Sequence, residues 1–202
     1  VVLALFGLRP DTNPARSVTI SVILPAFNNA VSLAGTLALL RRQTAQIVEI
    51  ILINEGSTDD TLACARDFKA RGLITRIIQH GTRTGKSAAI NHAARFAKGD
   101  LILVLDVDTV LADPDALAKL AAAFGDPSVA AASGNLMIHN RDESLWTSLQ
   151  SIEYLASLTA GRSFLDVIDS IACCSGAFTL FRRSVFRAVG GMNVGPGEDL
   201  EI

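Results

Sequence analysis

The sequence predicts an α/β domain in which a mostly parallel sheet is flanked by helices. The first observation is the apolar run at residues 101–105, because a short continuous apolar run is typical of a strand buried on both faces. The second is the alternation of such runs with segments of helical spacing, which favours parallel strands joined by right-handed crossovers. The third is the composition: of 202 residues, 50% are hydrophobic and 19% are charged, as in globular chains.

Strands are predicted where β-branched or apolar runs end at turn-forming residues. These runs occupy residues 18–24, 49–53, 73–79, 101–105, 129–133 and 175–181. Pro25 ends the first run, because proline cannot donate a hydrogen bond to a sheet.

Helices are predicted between these strands from apolar residues at helical spacing. They occupy residues 31–43, 57–71, 86–98, 114–124, 144–158 and 182–189. Ser57 or Thr58 is suited to cap the second helix, and Gly99 is suited to end the third.

Charge and cysteine content exclude some classes of partner. A formal net charge of −2 offers no basic field for a nucleic acid. Cys64, Cys173 and Cys174 have no metal-ligand spacing, and the two adjacent cysteines are poorly placed to bridge each other. This pattern indicates a reducing compartment.

Residues 1–17 and 144–158 are the two segments of the sequence that could contact a membrane. Residues 1–17 are interpreted as an N-terminal linker or the end of a membrane segment, with a stray strand as a third option. We expect residues 18–202 to form one domain that is truncated at its C-terminus, with no span of its own across a bilayer. The amphipathic segment 144–158 holds Trp146 and Tyr154, for which core packing is favoured over contact with a membrane surface.

Asp106 and Asp108 follow the buried strand and are separated by Val107. Open α/β sheets bind ligands outside the carboxyl ends of their strands, so both carboxylates are expected at that edge. Two carboxylates this close repel each other unless a cation or proton lies between them, and oxygen ligands suit Mg²⁺ or Mn²⁺ holding a substrate phosphate. The alternative is a pair of solvated aspartates in a loop or helix cap.

Residues 80–87 resemble a phosphate-binding P-loop, since they follow a predicted strand and open a predicted helix. The P-loop pattern requires four residues between its two glycines, whereas Gly81 and Gly85 are separated by three. The spacing therefore disfavours an NTPase. Lys86 at the helix N-terminus is still suited to contact a phosphate, and the alternative is an ordinary solvated lysine.

Three further carboxylates lie at predicted loop positions. Glu55 follows a strand and is suited to accept a hydrogen bond from a nucleobase imide or a ribose hydroxyl, with a helix-capping turn as the alternative. Glu198 and Asp199 follow a glycine-rich loop with the composition of a mobile lid, and they are candidates for a general base. His92 and His139 have no partners at ligand spacing and are interpreted as surface or packing residues.

Seven short motifs occur in one order along residues 18–202. They are Ser-Val-Ile-Leu-Pro-Ala-Phe-Asn (21–28), Asn-Glu-Gly-Ser-Thr-Asp-Asp-Thr (54–61), Gly-Lys-Ser-Ala-Ala-Ile-Asn (85–91), Asp-Val-Asp (106–108), Ser-Gly-Ala-Phe (175–178), Val-Gly-Gly-Met (189–192) and Gly-Glu-Asp (197–199). In this order they resemble the family 2 glycosyltransferases. Two further stretches, at 134–138 and 150–154, are similar to the processive membrane branch of cellulose, hyaluronan and poly-N-acetylglucosamine synthases.

The resemblance implies a GT-A fold, a nucleotide-diphospho-sugar donor, usually a UDP-sugar, and inversion at the anomeric carbon. On the donor side, Pro25 and Ala26 would line the nucleotide pocket and Glu55 would face the base. Lys86 and Asp106 would lie along the ribose and the diphosphate.

The resemblance also implies roles on the metal and acceptor sides. These are an Mg²⁺ or Mn²⁺ site at Asp106 and Asp108, a catalytic pair at Glu198 and Asp199 in which Asp199 deprotonates the acceptor hydroxyl, and an acceptor border at Ser175 and Gly176.

Two departures from the family pattern qualify this hypothesis. Glu55 stands where the family usually has Asp, and the Gln-x-x-Arg-Trp motif of processive synthases is absent from the chain. The sequence predicts an inverting, metal-dependent transferase at the cytoplasmic face of the cell membrane, attached through segments outside this chain. Its acceptor would be a saccharide or a lipid-linked saccharide in cell-surface polysaccharide synthesis. The alternatives are a non-catalytic nucleotide-sugar-binding module and, less favoured, a P-loop-like NTPase.

Overall fold

A seven-stranded sheet with helices on both faces forms the part of the chain described by the computed structural model, which comprises residues 2–4, 18–134 and 177–192. The strands are β1 (Val2–Ala4), β2 (Ile20–Ala26), β3 (Ile47–Glu55), β4 (Arg76–His80), β5 (Leu101–Leu105), β6 (Ala131–Ser133) and β7 (Phe178–Arg182). The helices are α1 (Ala30–Arg41), α2 (Thr61–Ala70), α3 (Lys86–Ala94), α4 (Ala116–Ala122) and α5 (Arg183–Ala188), with a 3-10 turn at Ala123–Gly125.

The strand order is β1-β6-β7-β5-β2-β3-β4, and most neighbouring strands are parallel. β2 pairs in parallel with β3 and β5, β3 with β4, and β1 with β6. β7 lies between β5 and β6 and is antiparallel to both. The predicted mostly parallel α/β architecture is confirmed, whereas the direction of β7 is visible only in the structure, since an apolar run does not encode it.

The residues of β5 show how the sheet divides the core into two layers. Leu101, Leu103 and Leu105 pack in one hydrophobic cluster with side chains from α1, α2 and α4. Ile102 and Val104 pack in the other, with side chains from α3 and α5. All five are at most 1% exposed, as the prediction of a strand buried on both faces requires.

α2 begins at Thr61, so the predicted cap at Ser57 or Thr58 is wrong. The hydroxyl of Ser57 instead donates to Asn54 Oδ1, and the backbone N–H of Thr58 donates to a side chain of the preceding loop. The carboxylate of Asp59 accepts the N–H of Thr61 at 3.0 Å. Competing hydrogen bonds therefore move the start of the helix.

α3 ends at Ala94, four residues before the predicted end at residue 98. The N–H groups of Lys98 and Gly99 donate to Ser21 Oγ at 3.1 and 2.8 Å, and that of Lys98 also donates to Glu49 Oε1 at 2.6 Å. Both acceptors are buried in other strands. The chain leaves the helix early because these long-range acceptors compete with the helical carbonyls.

The remaining predictions concern the chain start and the segment after β6. The backbone of residues 2–4 forms β1, in register with Ala131–Ser133 of β6, as in the stray-strand option. The predicted helix at 144–158 lies outside the described residues, as do Cys173 and Cys174. Cys64 is a free, partly buried thiol. None of the helices described above combines the length and apolar character needed to cross a membrane.

Truncation of a core residue of β5 tests this packing. Leu103→Ala is expected to lower the free energy of unfolding by about 2–5 kcal/mol, because it removes a buried side chain and leaves a cavity. Val31→Ala is the control, since Val31 is 96% exposed; a change within about 0.5 kcal/mol is expected. Urea denaturation measures both variants, and equal losses would contradict the buried placement of β5.

Candidate functional site

Four parallel strands, β2 to β5, end at one edge of the sheet, and polar residues end or directly follow three of them. The chain passes from β2 to β3 and β4, and then returns to place β5 on the other side of β2. The crevice between the carboxyl ends of β2 and β5 is thus a topological switch point, where open α/β sheets bind ligands. Ala26, Glu55 and His80 end β2, β3 and β4, and Asp106 directly follows β5.

Asp106 and Asp108 lie beside this crevice on a loop that is anchored to the core. Val107, between them, is 2% exposed, and its carbonyl accepts a hydrogen bond from the Thr36 hydroxyl of α1. The N–H of Asp106 donates to the carbonyl of Ala177 at 3.0 Å. This anchoring leaves Asp106 half-buried and Asp108 exposed.

Lys86 forms an ion pair with Asp106 across the crevice. Its Nζ lies 2.9 Å from Asp106 Oδ1 and 3.0 Å from Oδ2, and the two side chains are 30% and 29% exposed. Lys86 is the first residue of α3, and Gly85 before it has φ of 97°, a conformation that glycine adopts without steric cost. The structure therefore brings together two predicted donor-side residues from different elements.

Glu55 is 4% exposed and turns its carboxylate toward the loop before α3. Its Oε1 accepts the N–H of Thr84 at 3.1 Å and the Thr84 hydroxyl at 3.0 Å. His80 Nδ1 lies 2.8 Å from Thr84 Oγ1, and His80 Nε2 lies 2.8 Å from His92 Nδ1. Glu55 therefore belongs to a side-chain network and does not cap a helix.

Sequence reasoning missed Thr84 and the pairing of the two histidines. The sequence indicates a surface or packing role for His92, whereas in the structure its ring meets that of His80 edge to edge, at 5.2 Å between centroids and 14° between planes, and the two share a hydrogen bond. The available signal was the position of His80 at the end of a strand adjacent to β3. His139 lies outside the described residues.

The loop after β2 is fastened to the loop after β3. Asn28, with φ of 55°, donates its N–H to Ser57 Oγ at 3.0 Å. Its side-chain Oδ1 accepts the N–H of Thr58 at 2.9 Å. These reciprocal bonds fix two loops that border the switch point.

Pro25 and Ala26, predicted to line a nucleotide pocket, end β2 at this edge. Pro25 is half-buried, but Ala26 is only 2% exposed. The accessible group next to them is the ring of Phe27, which is 36% exposed and has the guanidinium of Arg83 4.7 Å from its centroid. A planar aromatic face next to a cation is suited to stack on another planar ring.

Asp59 holds the N-termini of α1 and α2 together. It accepts hydrogen bonds from Thr61, through the hydroxyl and the N–H, and from the N–H of Ala30 at 3.2 Å. The hydroxyl of Thr61 is the main cause that holds the pKa of Asp59 below its ordinary value, and the backbone donors add to it.

A double hydrogen bond joins α3 to the turn after α5. Asn91 Nδ2 donates to the carbonyl of Met192 at 2.7 Å, and the N–H of Met192 donates to Asn91 Oδ1 at 2.8 Å. A Cβ atom at Gly191 would lie 2.2 Å from Asn91 Oδ1, so only glycine fits this close approach. Two separate sequence motifs thus form one contact.

The carboxylates at the crevice suit a divalent cation only in part. Within the described ranges, no group of three or more His, Cys, Asp or Glu side chains is placed to hold a metal ion. Asp106 is paired with Lys86, and the side chain of Asp108 makes no hydrogen bond or ion pair with a described residue. Two carboxylates together with a substrate phosphate are a donor set that Mg²⁺ accepts, so the residues fit a cation shared with a phosphate.

The predicted acceptor and catalytic residues cannot be placed against this site. Ser175, Gly176, Glu198 and Asp199 lie outside the described residues.

A depression of about 450 Å³ lies at the opposite edge of the sheet, at the amino end of β3. Val48, Glu49 and Gly72 contribute to its wall. It is remote from Asp106 and Asp108, so the candidate site is defined by its side-chain chemistry and not by the volume of a cavity.

Residues 21–190 match the family described as Glycosyl transferase family 2. The chain belongs to this family. It is 32% identical over 183 residues to an N-acetylglucosaminyltransferase of Azorhizobium caulinodans, with 88% of this chain and 45% of the relative covered. It is 30% identical over 183 residues to a poly-β-1,6-N-acetyl-D-glucosamine synthase of Staphylococcus aureus, with 90% and 44% covered. The chain thus spans less than half the length of these relatives.

Solved structures share the fold at low sequence identity. A mannosyltransferase from Pyrobaculum calidifontis, in complex with GDP-Man and Mn²⁺, matches with a TM-score of 0.72 at 21% identity, with 96% of this chain and 52% of that chain covered. TarS of S. aureus in complex with UDP matches with a TM-score of 0.65 at 18% identity, with 90% and 53% covered. The implied GT-A fold is confirmed.

The hydrogen bonds of Asp59 predict a pH dependence of stability. A carboxyl group whose pKa falls on folding adds stability that is present above the ordinary carboxyl pKa of about 4 and is lost as the pH falls through the folded-state pKa. The difference in Tm between the wild type and Asp59→Asn is therefore expected to be constant near pH 6 and to shrink as the pH falls below about 4.

Asp67→Asn is the matched control, because Asp67 is an exposed carboxylate of α2 that forms an ion pair with Arg71, at 3.2 Å, and with no other residue of the described ranges. Its effect on Tm should be smaller at every pH, as is usual for exposed ion pairs. A difference for Asp59→Asn that stays the same from pH 6 down to the most acidic pH at which the protein still folds would contradict the role given to its charge.

Proposed function

We propose that this protein transfers a sugar from a nucleotide-diphospho-sugar, with a UDP-sugar as the donor, to a saccharide or lipid-linked acceptor. The proposed reaction depends on a divalent metal and inverts the anomeric carbon. The observation that carries the proposal is the Lys86–Asp106 ion pair beside the exposed Asp108 at the switch-point crevice. Membership of the glycosyltransferase family and the names of the relatives support sugar transfer, with N-acetylglucosamine as the first sugar to test.

Lys86 is suited to bind the diphosphate of the donor. Its ammonium group is already held at the crevice by Asp106, and a phosphate oxygen is an equivalent anionic partner. In the proposed donor complex Lys86 would pair with the diphosphate, and Asp106 and Asp108 would hold the metal ion. Mg²⁺ or Mn²⁺ bound there supplies charge stabilisation for the leaving diphosphate.

Glu55 supports the choice of a uridine nucleotide. Every polar contact of its carboxylate with a described residue is made by Oε1, which leaves Oε2 available as an acceptor. The imide N–H of uracil is a matching donor. UDP is present in the TarS structure and GDP-Man in the mannosyltransferase structure, so a guanosine nucleotide is the competing donor to test.

Inversion by direct displacement requires a base on the sugar face opposite the leaving diphosphate. We assign this role to Asp199, next to Glu198, from the Gly-Glu-Asp motif alone. A carboxylate that follows a glycine-rich segment can complete the site after the donor has bound. Ser175 and Gly176 are proposed to border the acceptor on the same basis.

We also propose that the protein acts in cell-surface polysaccharide synthesis, at the cytoplasmic face of the membrane and attached through segments outside this chain. The support is the name of the poly-N-acetylglucosamine synthase relatives and the processive-branch motifs. Fractionation of cells that express the natural protein tests the location, and recovery in the soluble fraction would contradict it.

A non-catalytic nucleotide-sugar-binding module is the second candidate, favoured only by Glu55 in place of the usual Asp. Such a module would bind UDP but would release no UDP from a UDP-sugar in the presence of acceptor. A coupled assay for UDP release by the full-length protein distinguishes the two.

Calorimetric titration of UDP into the purified protein is the direct test of the donor site. Binding is expected with Mn²⁺ present and is expected to be lost with EDTA, because the metal screens the carboxylates from the diphosphate. GDP and dTDP serve as controls for the base. UDP binding that is unchanged by EDTA would contradict metal dependence, and preference for GDP would contradict the uridine donor.

Two substitutions separate metal binding from catalysis. Asp108→Ala is expected to abolish metal-dependent UDP binding, because it removes the exposed metal ligand. Asp199→Ala is expected to retain UDP binding and to lower kcat by at least about 100-fold, as for loss of a general base. If Asp199→Ala weakened UDP binding as much as Asp108→Ala does, this division of roles would be wrong.

A further inference from the structure

A continuous chain of hydrogen bonds links β3, β4 and α3 behind the crevice. It runs from His92 through His80 and Thr84 to Glu55, with distances of 2.8, 2.8 and 3.0 Å between successive polar atoms. The Glu55 side chain is 5% exposed and that of His80 15%. Thr84 itself is exposed, so the chain is shielded from water at Glu55 and His80 and open to it at Thr84.

The chemistry of the groups determines the direction of these bonds. An ionised carboxylate only accepts, so the Thr84 hydroxyl donates its single proton to Glu55 Oε1. The Thr84 oxygen can then only accept from His80, so His80 Nδ1 carries a proton. With His80 neutral, its Nε2 accepts from His92 Nδ1. All the donors point toward Glu55.

Thr84 is the link between this network and the crevice. Its N–H and hydroxyl both end on Glu55 Oε1, and Lys86 follows it by two residues. Gly85, between Thr84 and Lys86, has a φ of 97° and no side chain that could fix this backbone conformation. The hydrogen bonds of Thr84 therefore define where α3 begins and where the side chain of Lys86 starts.

We infer that Glu55 is a positioning residue for Lys86, acting through Thr84, and that it couples the base side of the donor site to the diphosphate side. Oε1 is committed to Thr84 and Oε2 faces the nucleotide. This inference rests on the proposed function for the identity of the ligand. It extends that function by making Thr84 and His80 part of the donor site without contact with the donor.

The length of the Glu55 side chain is essential to this role. Aspartate would withdraw the carboxylate by about 1.5 Å, the length of one carbon–carbon bond. Bonds of 3.0 and 3.1 Å to Thr84 would then exceed hydrogen-bonding distance. Restoring the residue that the family usually has should therefore impair this particular chain.

A double-mutant cycle tests the coupling. UDP affinity in the presence of Mn²⁺ is measured for the wild type, Glu55→Asp, Lys86→Ala and the double variant. Glu55→Asp is expected to raise the Kd about tenfold in the wild type and by a clearly smaller factor in the Lys86→Ala background, because the ammonium that it positions is then gone and only the contact of Oε2 with the base remains to be lost. Additive effects, with the same factor in both backgrounds, would show that Glu55 acts on the base alone and would overturn the inference.

Thr84 provides a second, independent pair of variants. Thr84→Val removes the hydroxyl and keeps the shape, and is expected to weaken UDP binding about three- to tenfold with the same dependence on Lys86. Thr84→Ser keeps the hydroxyl and should bind UDP as the wild type does. Wild-type affinity in Thr84→Val would overturn the inference, even if Glu55→Asp failed to fold.

The same measurements distinguish failure of the positioning role of Glu55 from failure of the proposed function. If the folded wild type binds UDP and the cycle is additive, only the positioning role is wrong. If the folded wild type binds no nucleotide with Mn²⁺, the proposed function fails and the inference fails with it. Thermal unfolding of each variant confirms that affinities are compared between folded proteins.

Discussion

The ion pair between Lys86 and Asp106 is the contact on which the arrangement of the site depends. It joins the start of α3 to the end of β5, across the crevice where the strand order reverses. Lys86 places a cation next to Asp106, which offsets repulsion between the two neighbouring aspartates. One ammonium group thus stabilises the site in the absence of a ligand, and under the proposed function a phosphate-bound cation would take its place beside Asp106.

The loops around this pair are held by side-chain hydrogen bonds and not by regular secondary structure. Asn28 and Ser57 fasten the loops after β2 and β3, and Glu55 fastens Thr84 in the loop after β4. Val107 anchors the Asp106–Asp108 segment to the core through Thr36. Each bond adds little entropic cost in a loop that is already ordered. It also reduces the conformational entropy that would be lost when a ligand binds.

Membership of glycosyltransferase family 2 restricts the chemistry to sugar transfer, but the contacts of Glu55 are a feature of this chain. The longer carboxylate at position 55 is engaged by Thr84, which is in turn bonded to His80 of β4, the partner of His92 in α3. This arrangement gives a physical reason for the departure from the family pattern: the extra methylene carries the carboxylate to Thr84. A residue that looks like a conservative change in the sequence therefore has a different set of contacts in the structure.

The sequence by itself determined the α/β class, the burial of β5 and the edge at which Asp106, Asp108, Lys86 and Glu55 gather. These features follow from local patterns, since an apolar run, a turn residue or a strand end is encoded by adjacent residues. Only the tertiary structure decided the antiparallel direction of β7, the early end of α3 and the network of Glu55 with Thr84, His80 and His92. Those features depend on partners that are distant along the chain. Hydrogen bonds to such partners form only where packing brings the polar atoms within about 3 Å of each other.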